Sequence, residues 1–154
     1  MELETLGQLG LFISSFLAAT FFPIGCEAIF LALLSSASGI SDSSFQLTVA
    51  NATFGNTLGA IFTYLIGVYL PIDKALSFLK IKKDRFNKVK EIVRAKAKTM
   101  ALFAWLPILG DPIALALGHV RANLYLIIPM MAVGKFVRFF ILGIIALYFK
   151  SLLN

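Results

Sequence analysis

The sequence predicts an all-α integral membrane protein: two re-entrant helical hairpins plus two spanning helices in an inverted repeat, with a cytoplasmic amphipathic helix. Three observations carry this expectation. Of 154 residues, 59% are apolar and only 14% charged, with a mean hydropathy of +0.89; a soluble domain has about 45–50% apolar and about 25% charged residues. The charges are also segregated: ten of the fourteen basic residues lie between Lys74 and Lys98 against only Asp84 and Glu91, a local +8 that leaves −2 elsewhere. Finally, two of the apolar segments are broken near their middle by proline and glycine.

These features exclude a soluble enzyme, a disordered chain and a disulfide scaffold. The single histidine leaves no histidine cluster for a metal, and Cys26 alone forms no internal disulfide. The start, Met-Glu-Leu-Glu-Thr, lacks a basic n-region, so a cleaved signal peptide is not expected. The pI of about 9.6 is explained by cytoplasmic retention of short basic loops, and nucleic acid is not an expected partner.

Residues 1–154 read as one membrane domain. Residues 6–34 form the first broken segment, interrupted at Pro23 and Gly25 and carrying one charge, Glu27. After a serine-rich turn, residues 45–71 are expected to span. The basic segment 72–98 is expected to be cytoplasmic; Phe86, Val89 and Val93 at helical spacing among lysines and arginines suggest a helix lying on anionic headgroups, with a solvated linker as the plain alternative. Residues 99–118 form the second broken segment, interrupted at Pro107, Gly110 and Pro112 with Asp111 as its one charge; residues 124–149 form the second spanning helix. A straight span needs about 20 apolar residues, and each arm of segment 99–118 has about ten, too few for two crossings. Kinked full spans are the alternative to re-entrant hairpins.

The broken segments resemble one another. F-P-I-G-C-E-A-I-F-L-A-L at 22–33 and L-P-I-L-G-D-P-I-A-L-A-L at 106–117 share proline, glycine and an acid in order, then an arm ending Leu-Ala-Leu. One span between two such units gives them opposite orientation, an arrangement found in secondary transporters.

The charged residues inside apolar segments are the functional candidates. Glu27 and Asp111 are assigned to transport and proton coupling, against a capping role at a helix start. Lys135 and Arg138, three apart on one helix face, are assigned to binding a substrate phosphate, Arg138 by its planar fork; the alternative is a salt bridge to Glu27 or Asp111. Asn56 and Trp105 are candidate cavity-lining residues. G-N-T-L-G at 55–59 reads by default as a close helix-packing motif. His119 and Arg121 are expected to contact headgroups. No catalytic, metal or cofactor motif is present.

F-P-I-G-C-E, G-N-T-L-G, the basic stretch, W-L-P-I-L-G-D-P and G-K-x-x-R together resemble the YqaA branch of the DedA (VTT-domain) membrane proteins over about residues 10–149. The resemblance implies two re-entrant hairpins pointing at one another, flanked by spanning helices. It also implies proton-driven flipping of a lipid carrier such as undecaprenyl phosphate, with embedded acids and arginines as the working groups. The family's first acid falls on Glu27. Of its F-x-x-R-x-x-P-x-x-R pattern only Pro107 is matched, with Ala104 and Gly110 at the arginine positions and Asp111 nearby.

The expected function is therefore a non-enzymatic transporter or flippase of a phospholipid or polyprenyl-phosphate-like lipid. Its partners are anionic membrane lipids and protons, without a cofactor. A homodimer is expected, because so short a chain leaves a thin wall around a transport path. An intramembrane lipid-pyrophosphate phosphatase and a non-transporting scaffold are the competing classes.

Overall fold

The computed structural model describes residues 2–20, 26–35, 37–106 and 109–153. Seven α-helices and no strand occur among the described residues: α1 Glu2–Ala18, α2 Cys26–Leu34, α3 Ser43–Tyr69, α4 Ile72–Phe78, α5 Lys83–Leu102, α6 Gly110–His119 and α7 Leu124–Leu153, with a 3-10 turn at Phe103–Trp105. Local chemistry sets several boundaries. Asp42 caps α3, accepting from the Ser44 amide at 2.9 Å, and Asn123 accepts from the Tyr125 amide at 3.1 Å at the start of α7.

Helices α3 and α7 form an antiparallel pair, with Lys135 beside Asn56 and Gly143 beside Phe45. Helix α1 runs parallel to α3: Gln8 donates to Thr48 at 2.9 Å, Asn56 to the Ser15 carbonyl at 3.0 Å and Thr63 to the Ala19 carbonyl at 3.0 Å. Helix α2 folds back along α1, with Leu33 against Gly7, and lies on α7 through Phe30 and Phe139, whose ring centres are 5.2 Å apart. At the other end α5 and α6 are antiparallel, with Phe86 edge-on to His119 at 5.8 Å. The end of α1, the start of α2, the 3-10 turn and the start of α6 all lie level with the middle of α3 and α7.

Glycine permits these close approaches. A Cβ at Gly55 would lie 2.6 Å from the Phe12 carbonyl oxygen, and one at Gly59 closer still to that of Phe16, so G-N-T-L-G is a packing motif as expected. Gly118 does the same for α6 against the Tyr64 carbonyl.

Two apolar cores result. One holds Leu11, Phe30, Phe45, Val49 and Phe139; the other holds Ala60, Tyr64, Phe86, Ile113, Leu117 and Met131. Between them lies the level of Asn56 and Lys135. The outside is apolar as well: Leu9, Phe54, Phe62, Phe136 and Ile141 are exposed, as a lipid-facing surface requires.

Three expectations are corrected or bounded. Only α7 is both long and apolar enough to cross a bilayer, among the described residues, and 28% of its most apolar window is buried, unlike the core helix of a soluble protein. Helix α3 has the length, 27 residues, but spends its inner face on Asn51, Asn56 and threonines. The apolar face of α5 does not lie on headgroups: Phe86, Val89 and Val93 are buried against α6, because α6 offers an apolar partner that a lone surface helix lacks. Helix α5 is kinked at Lys96, where the backbone leaves helical geometry. Pro23, Gly25 and Pro107 lie outside the described residues.

Two predictions follow from this packing. Gly59→Leu forces α1 from α3 and lowers stability by about 1–3 kcal/mol, read as a lower melting temperature in detergent, whereas a substitution to leucine at Gly39, where nothing lies near, leaves it unchanged. The Asp42 carboxylate is held down to about 2, chiefly by the Ser38 amide and hydroxyl and then by the Ser44 amide. Its contribution is therefore present above pH 3.8 and lost as pH falls through about 2; Asp42→Ala flattens that acid limb of the melting curve.

Candidate functional site

A single small pocket gathers the predicted residues from five parts of the fold. Its lining includes Glu27 from α2, Asn56 from α3, Trp105 from the 3-10 turn, Gly110 and Asp111 from α6, and Lys135 and Arg138 from α7. Its volume is ≈ 20 Å³, space for about one water molecule.

Helical spacing on α7 puts Lys135 and Arg138 on one face, one turn apart. Arg138 Nη2 pairs with Glu27 Oε1, so the intramembrane salt bridge expected as one alternative does form. Glu27 stands in the first turn of α2, where the helix dipole favours its charge, and its second oxygen accepts from Cys26 Sγ at 3.3 Å. The pair is not sealed: side-chain exposure is 17% for Arg138 and 33% for Glu27.

Lys135 is 4% exposed, and its ammonium donates to Asn56 Oδ1 rather than to a carboxylate. Asn56 has its Nδ2 on the Ser15 carbonyl, so α1 fixes the orientation of the amide that receives Lys135. That role was invisible in sequence, since an asparagine in an apolar helix announces polarity but not its partner. Asp111 acts on Lys135 electrostatically, yet among the described residues it makes no hydrogen bond or ion pair.

The capping role for Asp111 is corrected. Helix α6 starts at Gly110 with Leu109 as its cap and no capping side chain; Asp111 and Pro112 are inside the first turn. The register follows from the close fit at the tip, where a Cβ on Gly110 would meet the Ala104 carbonyl oxygen at 2.5 Å. Trp105 is half-buried and packs beside Gly134. Ser15 was not singled out by sequence, but its hydroxyl is buried and has no hydrogen-bond partner among the described residues.

The site can hold two positive and two negative groups around space that only small species enter. No three His, Cys, Asp or Glu residues cluster for a metal among the described residues. Asn56→Leu removes the one hydrogen-bond acceptor that the buried Lys135 ammonium has among the described residues and lowers stability by about 1–3 kcal/mol, measured by detergent melting; Asn56→Asp restores an acceptor and recovers most of it.

No family profile and no solved structure matches the chain. It is 30% identical over 136 residues to Inner membrane protein YqaA of Escherichia coli (strain K12), covering 88% of each chain, and equally to that of Shigella flexneri. An uncharacterized protein of Haemophilus influenzae is 30% identical over 146 residues, covering 92% of this chain and 85% of its own. With an all-helical fold, an apolar exterior and charged residues gathered inside, the chain belongs to the YqaA-like branch of the DedA family of inner membrane proteins.

Proposed function

We propose that this protein is a proton-coupled transporter or flippase for a lipid bearing a phosphate headgroup. In this reading α1–α2 and α5–α6 are re-entrant hairpins entering from opposite faces, the two halves of an inverted repeat, with α3 and α7 spanning. The observation that carries it is that the ends of α1 and α2, the 3-10 turn and the start of α6 line one pocket, α2 and α6 each bringing an acid in its first turn. The positive-inside rule orients α4 and α5 to the cytoplasm; the turn at 35–42 and the end of α7, joined where Lys150 donates to the Ser35 and Ala37 carbonyls, then face the other side.

A pocket of ≈ 20 Å³ excludes a phosphate headgroup, so this geometry is the closed, empty state. Arg138 is neutralised by Glu27. A phosphate replaces Glu27 on Arg138 when the tips separate, its oxygens matching the guanidinium fork, and Lys135 supplies the second charge. The released Glu27 carboxylate takes a proton, because an unpaired charge at that depth is costly. Asp111, close to Lys135 but unpaired, is the second proton site. Reopening on the other side reverses the exchange.

The test is transport of a labelled polyprenyl phosphate in proteoliposomes with and without a proton gradient. Arg138→Ala is expected to abolish transport, and Glu27→Gln to leave a rate that no longer responds to the gradient. Wild-type transport by Arg138→Ala, or an unchanged gradient response in Glu27→Gln, overturns the reading.

A further inference from the structure

A second cavity lies apart from the central pocket, at the end of the molecule that carries the basic helix. It is a groove of ≈ 440 Å³ between α5 and the turn joining α6 to α7, lined by Val93, Arg94, Ala97, His119, Val120 and Ala122. We infer that this groove binds the phosphodiester headgroup of an anionic membrane lipid, with Arg94 and His119 as the groups that hold it.

Four observations support the assignment. The guanidinium of Arg94 has no hydrogen bond or ion pair among the described residues, so its donors are free for an oxyanion. Nor is the charge spent on the end of α6: the Val120, Arg121 and Ala122 amides already bond the Ala116, Gly118 and Leu117 carbonyls, closing the helix terminus in a Schellman turn. The side-chain charges acting on the groove's histidine are both positive. Burial first, then Lys90 and Arg94, push His119 below its ordinary 6.5, and no carboxylate acts on it in opposition.

Depth selects a lipid over a soluble phosphate. Tyr69 at the end of α3 and Tyr125 at the start of α7 are 77% and 89% exposed at this end of the molecule, where tyrosines mark the headgroup level. The remaining walls, Val93, Ala97, Val120 and Ala122, are apolar and suit a glycerol backbone and its first methylenes. Arg mates with a phosphodiester through two parallel donors, and the imidazole of His119 adds a third. Basic pockets on the cytoplasmic side of helix bundles are suited to such headgroups.

Arg121 supplies a built-in control. It adopts a left-handed φ of 52°, a position where glycine is preferred, and its charge acts on Tyr64 rather than lining the groove. Arg121→Gly therefore removes one positive charge from the same face without touching the site, and relieves backbone strain.

The experiment is native mass spectrometry of the delipidated full-length protein, titrated with phosphatidylglycerol, phosphatidylcholine or glycerol 1-phosphate. Wild type is expected to prefer phosphatidylglycerol over phosphatidylcholine by about tenfold, about the effect of one charge-assisted contact. Arg94→Gln/His119→Gln loses that preference, Arg94→Lys retains part of it, and Arg121→Gly keeps it, all with wild-type melting temperature or higher. Equal losses in Arg94→Gln and Arg121→Gly would mean diffuse attraction of a basic face and overturn the site. Binding of glycerol 1-phosphate as tight as that of phosphatidylglycerol would overturn the lipid assignment in favour of a free phosphate. None of these outcomes depends on transport activity.

Discussion

Lys135 and Arg138 interrupt the long apolar helix α7, and the rest of the fold is organised around satisfying them. An unpaired cation at that depth is costly whichever scale is used. Arg138 is met by Glu27 and Lys135 by Asn56, so α2 and α3 must both face α7 at one level. Asn56 in turn is held by the Ser15 carbonyl, which draws in α1. Leaving a buried donor without its acceptor typically costs about 1–3 kcal/mol, enough to make the register of four helices depend on these contacts.

The same requirement explains why the molecule has two apolar cores instead of one. Along α3 the buried residues pass from Phe45 and Val49 through Asn56 to Ala60 and Tyr64; along α7 they pass from Ile127 and Met131 through Lys135 to Phe139. The polar level falls where two short helices begin, and short helices suit it. A nine-residue α2 rises only about 14 Å, so its N-terminal amide groups and dipole end inside the protein, where they favour Glu27. Close glycine contacts hold α1 and α6 against α3, which is why the pocket between the helix ends is small.

Function and stability pull on the same groups. In the proposed cycle the Glu27–Arg138 salt bridge breaks to admit a phosphate, and these part-exposed groups are better placed to part than the buried Lys135 and Asn56. The exposed tyrosines and the Arg94 groove lie at the other end of α5 and α6 from the central pocket. The proposed lipid site and the proposed phosphate site thus draw on separate populations of basic residues.

Much of this was legible in the sequence. Composition alone dictates a membrane protein, because too few polar residues exist to cover a water-soluble body. Glu27, Asp111, Lys135 and Arg138 stood out because charge is rare in apolar segments, and all four line one pocket. The basic run between Lys74 and Lys98 gave an apolar stripe at Phe86, Val89 and Val93, and its period was read correctly. What covers that stripe was not legible, since periodicity says that a face is buried but not against what; α6 covers it, not headgroups. Nor did sequence choose the partners. Either acid could serve either cation by spacing alone, and an asparagine was not an evident acceptor for lysine. Those choices belong to tertiary structure, because they depend on which helix starts at which depth, and that depth is fixed by glycine contacts between residues far apart in the chain.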